Sequence, residues 1–461
     1  MMPASRLNGS AIVILYIPSY GGNLCPIFPP LTFCSITVPW HGTSYRMSSS
    51  GSRRWFSVFR SIGDSRYTDV SCIPGLMRNY SRKYDVIIVG CGPGGAYLGY
   101  LLASGGMRVL ILEKKRFPRY KTCGGGLTRR VLDLLPFSVD AVVEDYIYRA
   151  RVGLGDRVVV EKSTDCPMIA MVMRDRFDSF LAERAVEAGA RIMGETSFRT
   201  VFGNPGNLAV ETSRGVFRSR ILAGADGVHS RVARSLGIPP AGNAGPALEA
   251  EVYFRREGSI ERFRNTVHFD FGTMPRGYAW IFPKQDHLSV GVMSAQGKKP
   301  GIKKCLESYL KFKEISDGIE IRSLRGHLIP LGAGKRKVFA VPEGLLVGDA
   351  AALADPITGE GIFHALRQAE IAAGVVEGCL GGEKTSLLKY NSLIKKEFVS
   401  ELRYAGMLAG FFYGLEGITH RILKIHGDRI TDYHLDIITG ARTYRELFFR
   451  AFNPLGLIPW I

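Results

Sequence analysis

Few folds can accommodate the glycine-rich hexapeptide GCGPGG that the chain carries at residues 90–95. It directly follows a run of apolar and β-branched residues, Val86 to Val89, which is typical of a strand buried on both faces. The hexapeptide fits the pattern GxGxxG, whose glycines permit a tight turn and close approach of the backbone to a pyrophosphate. A helix from about Pro93 to Ser104 is predicted to direct its N-terminus at that pyrophosphate. The cofactor-contacting candidates in this turn are Gly90, Gly92, Gly94 and Gly95.

The residues after this helix complete the pattern. A second predicted strand, RVLILE, ends in Glu113, about 20 residues beyond the glycines. A carboxylate in that place accepts hydrogen bonds from the ribose hydroxyl groups of a dinucleotide, and Lys114 beside it is a further candidate for contact with the cofactor. Strand, turn, helix, second strand and terminal acid agree, so the segment predicts a dinucleotide-binding βαβ unit.

A second nucleotide-facing segment, late in the chain, favours FAD over NAD as the cofactor. Residues 343–378 are predicted to form a short apolar strand, a Gly-Asp turn and, after a stretch of small residues, a long helix. Asp349 is placed to accept hydrogen bonds from ribityl hydroxyl groups, and the TGEGI turn lets backbone amides approach the pyrimidine edge of a flavin. The dipole of the following helix would stabilise negative charge on a reduced flavin. The candidates in this segment are Gly348, Asp349, Pro356, Gly359, Gly361 and Ile362.

Two further segments resemble the flavoprotein superfamily that includes the aromatic hydroxylases. The stretch ILAGADGVHSRVARSLG, at 221–237, places Asp226 and Gly227 after an apolar strand, like the Asp-Gly motif of that superfamily. The amphipathic helix predicted at 173–190 has Arg174 at its start, and the resemblance implies that this arginine lies near the cofactor. A solvated surface charge is the alternative interpretation of Arg174.

Three motifs, in order along the chain, resemble the geranylgeranyl reductase family, flavoenzymes that saturate isoprenoid double bonds. They are PRYKTCGGGL at 118–127, GYAWIFPK at 277–284 and DPITGEGI at 355–362. The resemblance covers the chain from about Tyr84 to at least Gly378, and Thr122 departs from the Pro or Ala that members often have there. The compact arrangement is most similar to archaeal and bacterial members that modify lipids, of the digeranylgeranylglycerophospholipid reductase type.

The resemblance implies roles for the cysteine and the glycines of the first motif. Cys123 would face the flavin from the substrate side, either as a proton donor or as a small polarizable wall. Simple packing of a small apolar residue is the competing interpretation. The bare backbone of Gly124 and Gly125 would let both a flat flavin and a long prenyl chain approach.

The second motif is predicted to be a strand whose aromatic residues Tyr278, Trp280 and Phe282 share one face. Alternating aromatic residues in a sheet are often ordinary core, whereas the resemblance implies that this face lines a prenyl tunnel. Tyr278 and Trp280 are also catalytic candidates, because aromatic rings lessen the cost of partial positive charge on an olefin carbon.

The sequence predicts an α/β fold with a Rossmann-like FAD-binding domain, an antiparallel β-sheet substrate domain and a helical C-terminal region. The predicted segments are an extension at 1–76, the first part of the FAD-binding domain at 77–244, the substrate domain at 245–325, the return segment of the FAD-binding domain at 326–378 and a helical cap at 379–461. Residues 1–76 fit a transit peptide, a disordered extension or translated upstream sequence. We favour the last, because Met77 lies just before the first strand of the βαβ unit.

The chain is strongly basic, with a formal net charge of +18 at pH 7. This favours an acidic membrane surface or a phosphorylated substrate as partner, and the lack of zinc-finger and aromatic–basic RNA motifs argues against nucleic acid. The eight cysteines form no CxxC pair and the nine histidines no HxxxH or HExxH spacing, so no metal site is expected. We expect a cytoplasmic protein with peripheral membrane contact, and targeting to an organelle by residues 1–76 is an open alternative.

The sequence therefore predicts an FAD-dependent oxidoreductase that saturates C=C bonds of a geranylgeranyl lipid by hydride transfer from reduced flavin. The substrate would be a polyprenyl diphosphate, a geranylgeranylated glycerophospholipid, or a prenylated quinone or chlorophyll precursor. One alternative is an FAD-dependent monooxygenase or halogenase of the same superfamily, and another is a carotenoid-type cyclase without net redox change. The electron donor is open among ferredoxin, NAD(P)H and a menaquinol-linked donor.

Overall fold

The computed structural model describes three short strands near the N-terminus and residues 83–452, except 155–156, 241, 243, 296, 298–300, 333–334, 383–384, 415–428 and 434. The chain divides into two compact units, residues 1–72 and 73–461. In the first unit, β1 (Arg6–Leu7), β2 (Ser10–Ile14) and β3 (Ser35–Pro39) pair in the order β1-β2-β3. The predictions for residues 1–76 concern residues that lie largely outside the described part.

The second unit mixes strands and helices along the chain. Its strands are β4 (Lys83–Val89), β5 (Val109–Leu112), β6 (Gly126–Thr128), β7 (Val143–Ile147), β8 (Arg149–Leu154), β9 (Arg157–Ser163), β10 (Ile169–Val172), β11 (Arg191–Met193), β12 (Phe198–Asn204), β13 (Asn207–Thr212), β14 (Gly215–Gly224), β15 (Gly245–Phe254), β16 (Thr266–Phe271), β17 (Gly277–Pro283), β18 (Leu288–Ser294), β19 (Ile319–Ile329), β20 (Ala340–Val341) and β21 (Gly344–Leu346). Between and after them lie the helices α1 (Pro93–Ser104), α2 (Arg129–Leu134), α3 (Arg174–Glu187), α4 (Arg231–Ser235), α5 (Ile302–Phe312), α6 (Ile362–Leu380), α7 (Lys389–Ile394), α8 (Ser400–Gly414) and α9 (Tyr444–Phe452).

The first large sheet contains the βαβ unit that the sequence predicts. Its strands run in the order β11-β5-β4-β14-β13-β12, with β21 added beside β14 and β20 beside β21. The strands β11, β5, β4, β14 and β21 are parallel, and β5 is buried throughout, as expected for strands covered by helices on both faces. Helix α1 connects β4 to β5 and packs against α3 and α6. The glycine turn therefore lies at the carboxyl edge of parallel strands, where such sheets bind ligands.

The second large sheet has seven strands in the order β19-β15-β18-β17-β16-β8-β9. Neighbouring strands are antiparallel except β16 and β8, which are parallel. This is the predicted substrate sheet, but it also takes the hairpin β8–β9 from the segment 77–244 that the sequence assigns to the FAD-binding domain. The hairpin covers the edge of β16, whose backbone groups would otherwise lack partners. A small third sheet, β6-β10-β7, continues from the Cys-Gly-Gly-Gly run.

The two faces of the seven-stranded sheet differ because side chains alternate along its strands. One face, which includes Ala250 and Ile281, packs against α5 and forms an apolar core. The opposite face carries Tyr278, Trp280 and Phe282 together, as the alternation in the sequence predicts. We call this second side the aromatic face.

The C-terminal region is helical where it is described, as predicted. Helices α7 and α8 are joined by a π-helical turn at Lys395–Val399, and α9 packs against α8. Helix α8 ends at Gly414, and residues 415–428 lie outside the described part. None of the described helices combines the length and apolar character needed to cross a membrane.

Candidate functional site

The turn between β4 and α1 requires glycine at two positions. Gly90 has a φ of +101°, and a Cβ there would lie 2.2 Å from the Ala225 carbonyl oxygen. A Cβ on Gly95 would lie 2.0 Å from the Gly90 carbonyl oxygen. Around Gly92, by contrast, the nearest described atom to such a Cβ is an Arg119 nitrogen at 3.9 Å. The turn is closely packed around Gly90 and Gly95 and open around Gly92. This arrangement leaves room for a pyrophosphate at the helix N-terminus.

Glu113, at the end of β5, lies beside this turn. It is 4% exposed and accepts hydrogen bonds from the backbone N–H groups of Cys91 (3.1 Å) and Lys115 (3.0 Å). The Nε of Arg119 lies 3.2 Å from its carboxylate. These contacts fix the carboxylate where the sequence expects an acceptor for ribose hydroxyl groups. Lys114, the other candidate at this point, is exposed.

A buried carboxylate on α3 joins two arginines near the turn. Asp178 is fully buried, lies 2.9 Å from Arg119 Nη1 and accepts two hydrogen bonds, of 2.8 and 3.0 Å, from Arg174. Arg174 is 8% exposed, so its interpretation as a solvated charge is wrong. Burial alone would lower the pKa of Arg174, but Asp178 and the nearby Cys123 raise it on balance, and the guanidinium stays charged. Sequence reasoning missed Asp178, although its position four residues after Arg174 on a helix indicates an ion pair.

The return segment lies against the glycine turn, as the sequence predicts. A Cβ on Gly94 would be 3.2 Å from the Ala365 carbonyl oxygen of α6. Gly348 has a φ of +63°, and Asp349 Oδ1 lies 3.7 Å from the Cβ position of Gly361. The N-termini of α1 and α6 and the Asp349 carboxylate are thereby brought to one site. The remaining candidates of the segment, Pro356 and Ile362, are buried.

The Asp-Pro-Ile-Thr-Gly-Glu-Gly turn connects this site to the aromatic face. Asp355 is 2% exposed and accepts hydrogen bonds from the backbone N–H groups of Ile357 (2.7 Å) and Thr358 (3.0 Å). The O–H group of Tyr278 donates a hydrogen bond to the Thr358 carbonyl oxygen. Gly359 has a φ of +72°, and its Cβ position is 3.5 Å from the Tyr278 hydroxyl oxygen. Tyr278 therefore holds the turn against the second sheet.

The three-glycine run, Gly124 to Gly126, packs directly on the aromatic strand β17. A Cβ on Gly124 would lie 2.6 Å from the Phe282 ring and 3.3 Å from Trp280 Nε1. Gly125 has a φ of +69°, and a Cβ there would lie 2.0 Å from a carbonyl oxygen of β10. The buried Lys284 donates hydrogen bonds to the Gly124 carbonyl oxygen (2.6 Å) and to the same β10 carbonyl (3.0 Å). The predicted meeting of these two motifs is confirmed, while their chemical roles stay predictions.

Cys123 is half-buried, with charged groups close to its sulfur. Arg174, Lys121, Lys284 and Glu249 are all near enough to interact electrostatically with this sulfur. Burial lowers the pKa of Lys121 and that of Lys284. These charged neighbours argue against simple apolar packing of Cys123, and its chemical role stays a prediction.

Asp226 and Gly227 have a structural explanation. The Asp226 carboxylate accepts hydrogen bonds from the Ser230 hydroxyl (2.5 Å) and from the backbone N–H groups of Arg231 (2.6 Å) and Val232 (3.2 Å), which caps α4. Gly227 has a φ of +84° in the preceding turn. Contact of these two residues with a cofactor stays a prediction.

Sequence reasoning missed a buried polar group on the aromatic face. Glu249 and Glu251 of β15 are 1% and 4% exposed, and the hydroxyl of Tyr120 contacts both carboxylates. His287, which the sequence gives no role, is 3% exposed and lies beside Glu251. The available signal was the sequence LEAEVYF, in which two glutamates occupy alternate positions of an otherwise apolar strand.

The residues at the glycine turn fit FAD. The N-terminus of α1 has no side-chain cap and no acidic residue in its first turn, so its backbone N–H groups can donate hydrogen bonds to a pyrophosphate without repulsion from a carboxylate. Glu113 and Asp349 place carboxylate acceptors at two points of the site, which suits ribose and ribityl hydroxyl groups. Among the described residues, no three His, Cys, Asp or Glu side chains are grouped so as to hold a metal ion.

Comparison with known proteins agrees with this description of the site. A family profile described as FAD binding domain matches residues 83–390. The chain is 33% identical to an uncharacterized protein of Methanosarcina barkeri, over 72% of this chain and 84% of that protein. It is 30% identical to digeranylgeranylglycerophospholipid reductase 1 of Methanopyrus kandleri, over 68% of this chain and 87% of that protein.

Solved structures share the fold at lower identity. A geranylgeranyl bacteriochlorophyll reductase-like protein from Thermoplasma acidophilum superposes with a TM-score of 0.64 at 24% identity, over 78% of this chain and 92% of that one. A flavin-dependent brominase superposes with a TM-score of 0.62 at 19% identity, over 78% of this chain and 94% of that one. One fold thus serves proteins with different names, and the reaction must be argued from the site.

Proposed function

The chain belongs to the FAD binding domain family, among the FAD-dependent oxidoreductases related to the geranylgeranyl reductases, and from that membership we propose that it saturates C=C bonds of a geranylgeranyl lipid. The observation that carries the proposal is the contact between the three-glycine run and the aromatic strand. The Cβ position of Gly124 is 2.6 Å from the Phe282 ring and 3.3 Å from Trp280 Nε1. This contact brings the Cys123 segment to the edge of the aromatic face, whose remaining rings suit a long apolar chain.

The rings of the aromatic face form an apolar surface that supports an apolar substrate. Its rings contact one another in a continuous series, with centroids 5.4 to 6.2 Å apart. The series consists of Phe269, Phe271, Tyr278, Trp280 and Phe282. Such a surface binds a prenyl chain through its apolar area and excludes water from the reacting carbons.

Saturating a double bond also needs a hydride and a proton, and different groups supply them. FAD in its reduced form supplies the hydride. Cys123 holds the proton for the second carbon, and the charged Arg174 beside its sulfur stabilises the thiolate left after that proton is given. Arg119 and Asp178 keep Arg174 in place.

Tyr278 has a different role from the stabilisation of positive charge that the sequence suggests. Its O–H already donates to the Thr358 carbonyl oxygen, and burial raises its pKa. We therefore assign to Tyr278 the positioning of the turn at 355–361, and to Trp280 the apolar wall opposite Gly124. This leaves Cys123 as the proton donor.

We further propose an anionic isoprenoid lipid as the substrate and a membrane surface as its source. Met407 of α8 and Phe449 of α9 are 46% and 53% exposed, and the Arg445 guanidinium lies 5.9 Å from the Phe449 ring. Apolar side chains beside cations suit peripheral contact with an anionic bilayer, and the net charge of +18 acts in the same direction. The electron donor would be ferredoxin or NAD(P)H, and dithionite can replace either in a test.

The experiment that tests the reaction follows the flavin. Holoenzyme is reduced anaerobically with dithionite, freed of excess reductant and mixed with geranylgeranyl diphosphate. We expect the absorbance of oxidised flavin to return, because each saturated double bond consumes one hydride. Phytanyl diphosphate, the saturated analogue, is the control and should leave the flavin reduced. No reoxidation by geranylgeranyl diphosphate, with reoxidation only after oxygen is admitted, would favour a monooxygenase and contradict the proposal.

A further inference from the structure

Two carboxylates are buried on the aromatic face, close to each other. Glu249 and Glu251 are 1% and 4% exposed and point to the side of Trp280, because the pairings of β15, β18 and β17 place them on that face. Burial and the neighbouring Glu251 raise the pKa of Glu249 well above its usual range. Burial would also raise the pKa of Glu251, but His287 and Lys284 lower it on balance. A proton on this pair therefore favours Glu249 over Glu251.

Polar contacts lead from this pair to the surface. Tyr120 Oη lies 3.2 Å from Glu249 Oε1 and 3.2 Å from Glu251 Oε1. His287 Nε2 lies 3.1 Å from Glu251 Oε2 in an ion-pair contact that lacks the angle of a good hydrogen bond. On the other side of its ring, His287 Nδ1 lies 2.7 Å from Asp286, whose side chain is 69% exposed. We call Tyr120, Glu249, Glu251 and His287 the polar path.

The inner end of the polar path reaches the candidate site. Glu249 is opposite Gly291 on β18, and Gly291 is opposite Trp280 on β17. A Cβ on Gly291 would lie 2.1 Å from the Trp280 ring, so the indole extends over Gly291 toward β15. Trp280 Nε1, which also lies 3.3 Å from the Gly124 Cβ position, and Glu249 Oε2 are buried without a hydrogen-bond partner among the described residues. Cys123 is near enough to interact electrostatically with Glu249.

We propose that the polar path carries a proton from solvent at Asp286 to Cys123, with Glu249 as its inner proton store. The proposal rests on the proposed function, because saturating one C=C bond consumes one hydride and one proton. The hydride brings the electron pair from the reduced cofactor, and the proton leaves the Cys123 thiol. The protonated Glu249 then returns a proton to the sulfur and regains one from Glu251, directly or through the Tyr120 hydroxyl. Solvent restores the last proton at Asp286, so atoms and charge balance over one turnover.

The groups around Glu249 favour this role over a site for a phosphate head group. They are Tyr120 and Cys123 from the loop before β6, Glu251 from β15, Arg325 from β19, and Lys284 and His287 at the end of the β17–β18 hairpin. Two carboxylates at this depth repel a phosphate, whereas Lys284 and Arg325 stabilise the charge that remains when the pair passes a proton on. Glu249 thus acts on the reaction only through Cys123 and does not itself touch the substrate.

The variant E249Q tests the relay, since glutamine keeps the size of glutamate and cannot donate a carboxyl proton. In steady-state turnover of geranylgeranyl diphosphate with excess dithionite, we expect the rate to fall by about 100-fold, the usual range for losing a general acid, because Cys123 must regain a proton before each further turnover. The solvent isotope effect in D2O should increase, because proton delivery becomes limiting. Reoxidation by ferricyanide, which requires no proton at the substrate, should be unchanged. E249D should restore part of the rate.

Thermal stability of the holoenzyme gives a readout without turnover. Because the pKa of Glu249 is raised above 4.5 in the folded protein, the folded state binds more protons than the unfolded chain, and stability falls as pH rises through the raised value. Glutamine cannot bind this proton, so E249Q lacks this contribution to the pH dependence of stability. Between about pH 5 and about pH 9, Tm should therefore fall less in E249Q than in the wild type.

The control is E320Q, the same change at an exposed glutamate on β19, which should behave like the wild type in each assay. Wild-type steady-state rates and isotope effects in E249Q would overturn the relay. If the wild type itself does not respond to geranylgeranyl diphosphate, the proposed function fails. The pH dependence of Tm then tests by itself whether Glu249 stores a proton. Identical profiles would then overturn its role as a proton store, and a flatter profile for E249Q would support it.

Discussion

Gly95→Ala is expected to yield a protein that has largely lost FAD. The new Cβ would lie 2.0 Å from the Gly90 carbonyl oxygen and 2.9 Å from the Ala225 Cβ, and neither atom is the end of a flexible side chain. The first turn of α1 must shift, and with it the backbone N–H groups that face the pyrophosphate. Overpacking of this kind costs about 1–3 kcal/mol of stability. We expect FAD affinity to fall by about 100-fold, equivalent to about 2.8 kcal/mol of binding free energy.

Titration of FAD into the apoproteins measures this loss, and Gly374→Ala is the matched control. Gly374 lies within α6, and apart from its chain neighbours and the backbone of its own helix, no described atom comes within 4 Å of its Cβ position. Alanine there should leave FAD binding unchanged and raise stability by about 0.5–1 kcal/mol. If Gly95→Ala bound FAD as tightly as this control, the cofactor would not lie over the turn at 90–95.

Gly124→Ala is expected to abolish most prenyl saturation while leaving FAD in place. Its Cβ would lie 2.6 Å from the Phe282 ring and 3.3 Å from Trp280 Nε1. Because these contacts are to side chains, the rings must move into the space that the prenyl chain needs. Displacements of about 1 Å at a reacting centre cost about 100-fold in rate, and we expect kcat/KM for geranylgeranyl diphosphate to fall by about that factor.

Gly126→Ala separates this effect from general damage to the glycine run. Its Cβ position lies 3.2 Å from Ile169 and 3.7 Å from Met171, on the third sheet and away from the aromatic strand. We expect wild-type FAD content and turnover within a few-fold of wild type for this variant. Equal activity of Gly124→Ala and Gly126→Ala would show that the prenyl chain does not bind beside the contact between Gly124 and the aromatic rings.

Local sequence signals were sufficient for the parts of the fold that depend on neighbours in the chain. The strand at 83–89, the glycine turn and the acid at Glu113 follow one another within a single βαβ unit, so their spacing fixes their geometry. The common face of Tyr278, Trp280 and Phe282 follows from the alternation of any strand. The contact between Gly124 and this face was predicted through the family resemblance and not from local patterns.

Other features depend on contacts between distant segments, which a single sequence does not encode locally. Tyr120 meets Glu249 across 129 positions of the chain, and only the register of β15 with β18 places Glu249 beside the aromatic face. The hairpin β8–β9 joins the second sheet because β16 has an open edge, which becomes visible once the strand order is known. Asp226 fits a cofactor motif in the sequence, yet its carboxylate is engaged in capping α4.

The mass of the product is the most direct test of the central claim, that the three-glycine run and the aromatic strand hold a prenyl chain for reduction. Wild-type holoenzyme is incubated anaerobically with dithionite and geranylgeranyl diphosphate, and the extracted lipid is weighed by mass spectrometry. We expect its mass to increase in steps of two hydrogen atoms, with almost no increase for Gly124→Ala. An unchanged mass with every prenyl substrate tried would contradict the account. So would a parallel aerobic incubation in which the product gains oxygen or halogen and no hydrogen.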